Sequence, residues 1–92
     1  MDTRVKKAVL AKIEETISGK EEINKIQQSL DYILFISMND FIFGIAIGRI
    51  YNSFHYQTRR TLGRNATEEE FTEFLDILKA KAIEIREVLT QL

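Results

Sequence analysis

The chain contains no proline and only four glycines among its 92 residues. Average usage of about 5% would place four or five prolines in a chain of this length. Proline removes a backbone donor and glycine costs backbone entropy, so these two residues interrupt helices most often. A chain with so few interruptions is predicted to be helical throughout. We therefore expect an all-α fold.

Length and composition restrict the class of protein further. The length allows one domain, covering residues 1–92, with one hydrophobic core. Hydrophobic residues make up 45% of the chain and charged residues 29%, which excludes disordered and low-complexity classes. The formal net charge of −1 excludes a general electrostatic attraction to nucleic acid or anionic membranes, and leaves only a local basic patch open.

The chemistry available to the chain is limited as well. With no cysteine and one histidine, it cannot form disulfides, thiolate metal sites or multi-histidine metal centres. We favour a non-enzymatic protein with no catalytic, cofactor-binding or metal-binding residue. The N-terminus has no continuous apolar stretch of the kind found in secretory signals, which predicts a cytoplasmic protein.

Hydrophobic periodicity divides the chain into three long or four shorter helices that form a bundle. We predict these helices at about residues 3–18, 21–38, 40–62 and 67–91. Asp2 or Thr3 would cap the first helix, and Gly19 would end it in a left-handed conformation. Gly63 suits the end of the third helix for the same reason.

The last helix carries the strongest local signals. Thr67 followed three residues later by Glu70 is a capping box, which predicts the start of this helix. Apolar residues then recur at heptad a and d spacing, at Phe71, Leu75, Leu78, Ala82, Ile85, Leu89 and Leu92. This seam predicts that the last helix packs against a neighbour along its whole length.

Residues 32–50 are apolar on almost every helical face. Asn39 and Asp40 interrupt this stretch near its centre, where a charged residue is costly in a bilayer, so we expect no membrane span. We expect the helix to break near Met38 to Asp40, with Asn39 or Asp40 as the next N-cap. The alternative is one helix over residues 30–62 that a second chain covers.

Gly44 and Gly48 lie one helical turn apart, and Tyr51 and His55 share their face. Each glycine inside a helix costs about 1 kcal/mol relative to alanine, so the pair needs a compensating contact. The usual compensating contact is the close approach of another helix. We therefore predict self-association through Gly44, Gly48, Tyr51 and His55, with a homodimer favoured over other oligomers and completing the bundle.

A basic block without any acidic residue follows on the same helix. Its arginines are Arg49, Arg59, Arg60 and Arg64, and aromatic residues lie between them. Guanidinium groups next to exposed aromatic rings suit the phosphates and bases of nucleic acids. A nucleic-acid-binding helical module is therefore an alternative function.

Four carboxylates occupy two turns of the last helix, at Glu69, Glu70, Glu73 and Asp76. The spacing of the first three is similar to the first half of the metal-binding signature of all-α nucleotide pyrophosphohydrolases. This resemblance implies magnesium held by paired carboxylates and a metal-dependent nucleotide hydrolase as a second alternative. The family's second Glu-x-x-Asp pair on a following helix is not present in this chain.

Overall fold

The computed structural model describes residues 1–29 and 37–90, which form four α-helices and no strand. The helices are α1 (Thr3–Ser18), α2 (Lys20–Ser29), α3 (Met38–Leu62) and α4 (Glu68–Thr90). This arrangement confirms the predicted all-α bundle. The molecule measures 41 × 21 × 21 Å with a radius of gyration of 14.2 Å, so it is more elongated than a compact domain of this length, for which about 12 Å is expected.

The central element is α3, which contacts each of the other three helices. Its buried residues recur every four positions and so form one stripe, consisting of Ile42, Ala46, Ile50, Phe54 and Thr58. The residues that cover this stripe are Val5, Val9 and Ile13 from α1, Ile23 from α2, and Phe74, Ile85 and Leu89 from α4. Fully burying each large apolar side chain contributes about 1.5–3 kcal/mol.

Two threonines are buried within this core. The hydroxyl of Thr16 donates to the carbonyl oxygen of Lys12 at 2.7 Å, and that of Thr58 donates to the carbonyl oxygen of Phe54 at 2.8 Å. Each acceptor lies four residues earlier in the same helix. Both hydroxyls are therefore satisfied without a partner from another helix.

The predicted capping box at the start of α4 is confirmed. The Glu70 N–H donates to Thr67 Oγ1 at 3.1 Å, and the Thr67 N–H donates to Glu70 Oε1 at 2.9 Å. Gly63 ends α3 with φ 68°, the left-handed conformation expected of it, and its N–H donates to the carbonyl oxygen of Arg59 at 2.9 Å.

The junction between α1 and α2 differs from the prediction. Asp2 caps α1 and the helix ends at Ser18 as expected, but Gly19 has φ −90° and is not left-handed. The reason is that α2 starts directly at Lys20, so the chain does not reverse at this point. A Cβ at Gly19 would lie 3.2 Å from the carbonyl oxygen of Glu15, so the tight junction still favours glycine.

The start of α3 also differs from the prediction. The helix is interrupted, but Ser37, with φ −143°, is the N-cap, and its hydroxyl accepts from the Asp40 N–H at 3.2 Å. Asn39 and Asp40 are therefore not N-caps, because both lie inside the first turn. Asp40 is exposed in that first turn, and the positive end of the helix dipole stabilises its negative charge. The rest of the predicted second helix, residues 30–36, lies outside the described residues.

The seam predicted for α4 is partly correct. Ile85 and Leu89 are buried, but the side chain of Leu75 is 44% exposed. Phe74 takes the core position instead, because its ring stacks on that of Phe54 with centroids 4.4 Å apart and planes 11° apart. Neighbouring residues on a helix point about 100° apart, so burying Phe74 turns Leu75 towards the surface. Leu92 lies outside the described residues.

The apolar stretch at residues 32–50 lies partly outside the described ranges, which are residues 1–29 and 37–90. None of the helices there combines the length and the hydrophobicity that a bilayer crossing requires.

The capping box at Thr67 generates the first testable prediction. Thr67→Ala removes the oxygen that accepts the Glu70 N–H, so it should lower the free energy of unfolding by about 0.5–2 kcal/mol. The measurement is urea denaturation followed by circular dichroism. Thr72→Ala is the matched control, because Thr72 is exposed inside α4 and alanine is the better helix former there. Equal midpoints for Thr67→Ala and wild type would contradict the capping role.

Candidate functional site

An open groove of about 380 Å³ runs between α3 and α4, and we name it the apolar groove. Its lining is Phe43 and Ile47 from α3 with Leu75, Leu78, Lys79 and Ala82 from α4. Apart from the Lys79 ammonium, none of these side chains carries a polar group. Leu75, which is 44% exposed, is part of this lining. The apolar groove is thus a hydrophobic surface that the described part of the chain does not cover.

An ion pair, Arg86 with Asp40, lies next to Phe43 at the edge of the apolar groove. The guanidinium carbon of Arg86 lies 5.5 Å from the centre of the Phe43 ring, a cation–π contact. Arg86 Nη2 also lies 2.9 Å from Asp40 Oδ1. Asp40, predicted as an N-cap, therefore pairs with α4 and ties the start of α3 to the end of α4.

Aromatic rings lie along α3, one helical turn beyond the apolar groove. The rings of Tyr51 and His55 meet edge to face with centroids 4.8 Å apart, and the His55 ring stacks on Phe71 at 6.0 Å. His55 also lies 5.0 Å from Phe54. The only histidine of the chain is thus part of an aromatic cluster that joins α3 to the start of α4.

The structure places the predicted self-association residues on one side of α3. Gly44, Gly48 and Tyr51 are exposed, and His55 is half-buried. A Cβ built at Gly44 or Gly48 meets no heavy atom within 4 Å. No helix of the described chain therefore approaches these glycines, and the residues that the structure describes do not make their compensating contact.

A second groove, of about 350 Å³, lies between α1 and α3, and we name it the polar groove. Lys12 contributes from α1, and Arg49, Asn52, Ser53, Tyr56 and Gln57 contribute from α3. Glu15 lies beside both cations, with its Oε1 3.1 Å from Lys12 Nζ and 3.8 Å from Arg49 Nη2. The sequence did not single out Lys12, because only the fold brings α1 alongside Arg49.

The four arginines proposed for nucleic-acid contact differ in their surroundings. Arg49 lies in the polar groove, and Arg59 lines a neighbouring depression with Tyr51 and His55, which shares Asn52 with the polar groove. Arg60 is exposed. Arg64 is engaged, because its guanidinium donates to the Asn65 carbonyl oxygen and to both carboxylate oxygens of Glu70.

Of the four predicted carboxylates of α4, two make contacts in different places and two are exposed. Glu70 belongs to the capping box, and Glu73 Oε1 accepts from the N-terminal amine at 2.8 Å. Glu69 and Asp76 are exposed. Across the described ranges, no three His, Cys, Asp or Glu side chains form a group that could hold a metal ion.

The two grooves on either side of α3 are the strongest candidate sites of this protein. One presents apolar side chains and the other presents hydrogen-bond donors. No protein-family model, curated protein or solved structure matches this chain.

The Arg64–Glu70 pair has a consequence for the pH dependence of stability. The Arg64 guanidinium and, after it, the Thr67 N–H lower the pKa of the Glu70 carboxyl from 4.5 to about 2. A carboxyl with a lowered pKa in the folded state stabilises the fold fully above the unfolded pKa. This contribution is lost as the pH falls from about 4.5 to 2.

We therefore predict that Glu70→Gln makes the free energy of unfolding less dependent on pH between 4.5 and 2. Some dependence stays, because hydrogen bonds from Arg4 lower the pKa of Asp2 to about 2 as well. Thermal unfolding at a series of pH values provides the measurement. Glu69→Gln is the control, since Glu69 is exposed and the same charge is removed. Identical pH profiles for Glu70→Gln and wild type would contradict the prediction.

Proposed function

We propose that this protein is a small, non-enzymatic helical module that associates with a second copy of itself through the apolar groove and the adjacent glycines. The observation that carries this proposal is the continuity of the surface. Gly44 and Gly48 directly follow Phe43 and Ile47 in the sequence of α3, so the strip formed by the two exposed glycines borders half-buried side chains that line the apolar groove.

The shape of this surface suits a copy of itself. Glycine has no side chain, so another backbone or a bulky side chain can approach Gly44 and Gly48 closely. Leu75 and Tyr51 are both large apolar residues that protrude into solvent. In a two-fold dimer each protomer would place its protruding side chains on the other's glycine strip, which closes the assembly at two chains.

Charge does not oppose the pairing of two apolar grooves. Lys79 is the only charged residue in the lining, and a long lysine side chain can keep its ammonium in water while its stem packs. The net charge of −1 also leaves little repulsion between copies. Desolvating the apolar groove therefore removes few polar groups from water.

Leu75→Glu tests this proposal directly. A carboxylate in the middle of the apolar groove would lose its hydration on dimerisation, with the Lys79 ammonium one turn away as its only partner in the lining, so it should weaken dimerisation by about tenfold or more. The measurement is sedimentation equilibrium over a range of concentrations. Leu10→Glu is the matched control, because Leu10 is 37% exposed and belongs to α1, which does not line the apolar groove.

Two outcomes would contradict the proposal. One is a wild-type chain that sediments as a monomer at about 100 µM, since even a modest interface should be occupied there. The other is an equal loss of association in Leu75→Glu and Leu10→Glu, which would place the interface elsewhere.

Gly48→Ala separates the role of the glycine in the helix from its role in the interface. Alanine should stabilise the monomer by about 0.5–1 kcal/mol, because the added Cβ meets nothing within 4 Å. In a close dimer, the same methyl group should weaken association. Urea denaturation at concentrations below dimerisation measures the first effect, and sedimentation measures the second. An unchanged dimer constant would show that the interface does not use Gly48.

A further inference from the structure

We infer that the polar groove binds the phosphate group of a small phosphorylated ligand. This site is separate from the apolar groove, which lies on the other side of α3 between that helix and α4. The inference does not depend on self-association.

All six side chains that line the polar groove can donate hydrogen bonds. Among them, Asn52, Ser53, Tyr56 and Gln57 make no side-chain hydrogen bond to another described residue. They project from two consecutive turns on one side of α3. A phosphate group, whose oxygens accept several hydrogen bonds at once, is the ligand chemistry that such a set of donors recognises.

Two cations complete this set. Only 25% of the Lys12 side chain and 29% of the Arg49 side chain are exposed, so packing limits their freedom. The Arg49 guanidinium is planar and can donate two parallel hydrogen bonds to one phosphate. The Lys12 ammonium supplies a compact positive charge from the opposite helix.

Glu15 is the carboxylate that lies beside both cations of this site. It pairs with both Lys12 and Arg49, yet its side chain is 62% exposed. Exposed ion pairs contribute little to stability, so a phosphate dianion can compete with Glu15 for the two cations. Removing the Glu15 charge should therefore strengthen phosphate binding.

The size of the site sets the class of ligand. Its volume of about 350 Å³ falls within the range of small-molecule pockets and exceeds the space that one phosphate needs. The half-exposed ring of Tyr56 offers a flat surface beside the donors, on which a planar group can stack. A phosphorylated metabolite or a nucleotide has this combination of groups.

The test is a titration of the full chain with inorganic pyrophosphate, and then with ADP, followed by amide chemical shifts at constant ionic strength. We expect saturable binding with a dissociation constant of about 1 mM or lower, and shifts centred on residues 49–57. Lys12→Gln and Arg49→Gln should each weaken binding by about tenfold or more. Glu15→Gln should strengthen it several-fold.

Arg59→Gln is the matched control. It removes the same charge from α3 at a position in the neighbouring depression, which shares only Asn52 with the polar groove, so it should weaken pyrophosphate binding far less than Arg49→Gln does. Circular dichroism of each variant separates loss of the site from loss of the fold. Absence of saturable shifts, equal weakening by Arg59→Gln and Arg49→Gln, or no effect of Glu15→Gln would each overturn the inference.

Single-stranded oligonucleotides distinguish the two sources of phosphate. Binding to a nucleic-acid backbone should weaken steeply with salt, because each neutralised phosphate releases a counterion. Pyrophosphate binding that oligonucleotides do not displace supports a small ligand. Oligonucleotide binding that is tighter than pyrophosphate binding and requires Lys12 and Arg49 would overturn the small-ligand assignment in favour of nucleic acid.

Discussion

The packing of α3 against three other helices determines the remaining features of this protein. Its buried stripe repeats every four residues, and the Phe54–Phe74 stack sets the rotation of α4 relative to it. Once these two rings are stacked, Leu75 turns outward and the apolar groove opens beside α3. On the other side, the same orientation of α3 places Arg49 beside α1. Both candidate sites are therefore consequences of how one helix is buried.

The helix caps were largely predictable from the sequence, because a cap depends on contacts within a few residues. The capping box at Thr67 and the left-handed Gly63 depend only on neighbouring backbone groups, and both predictions are confirmed. Gly19 was assigned the wrong conformation, since its φ depends on where the next helix starts. Ser37 was overlooked as an N-cap because Asn39 and Asp40 carried the same signal two and three residues later.

The candidate sites were less predictable, because they depend on contacts between distant segments. The glycine pair on α3 was visible as a pattern, but its exposure required knowledge of how α3 is rotated. The heptad seam of α4 placed Leu75 in the core, since a spacing pattern cannot distinguish it from Phe74 beside it. Lys12 carried no signal at all, as it joins Arg49 only when α1 docks on α3.

The two buried threonines have a consequence for how this sequence can change over generations. Because Thr16 and Thr58 donate to carbonyl groups of their own helices, neither hydroxyl constrains the identity of a residue across the core. Valine at either position would have a similar shape and would leave no donor unsatisfied on another helix. Substitutions here are therefore decoupled from the facing helices, and the positions can drift between threonine and valine without compensating changes elsewhere.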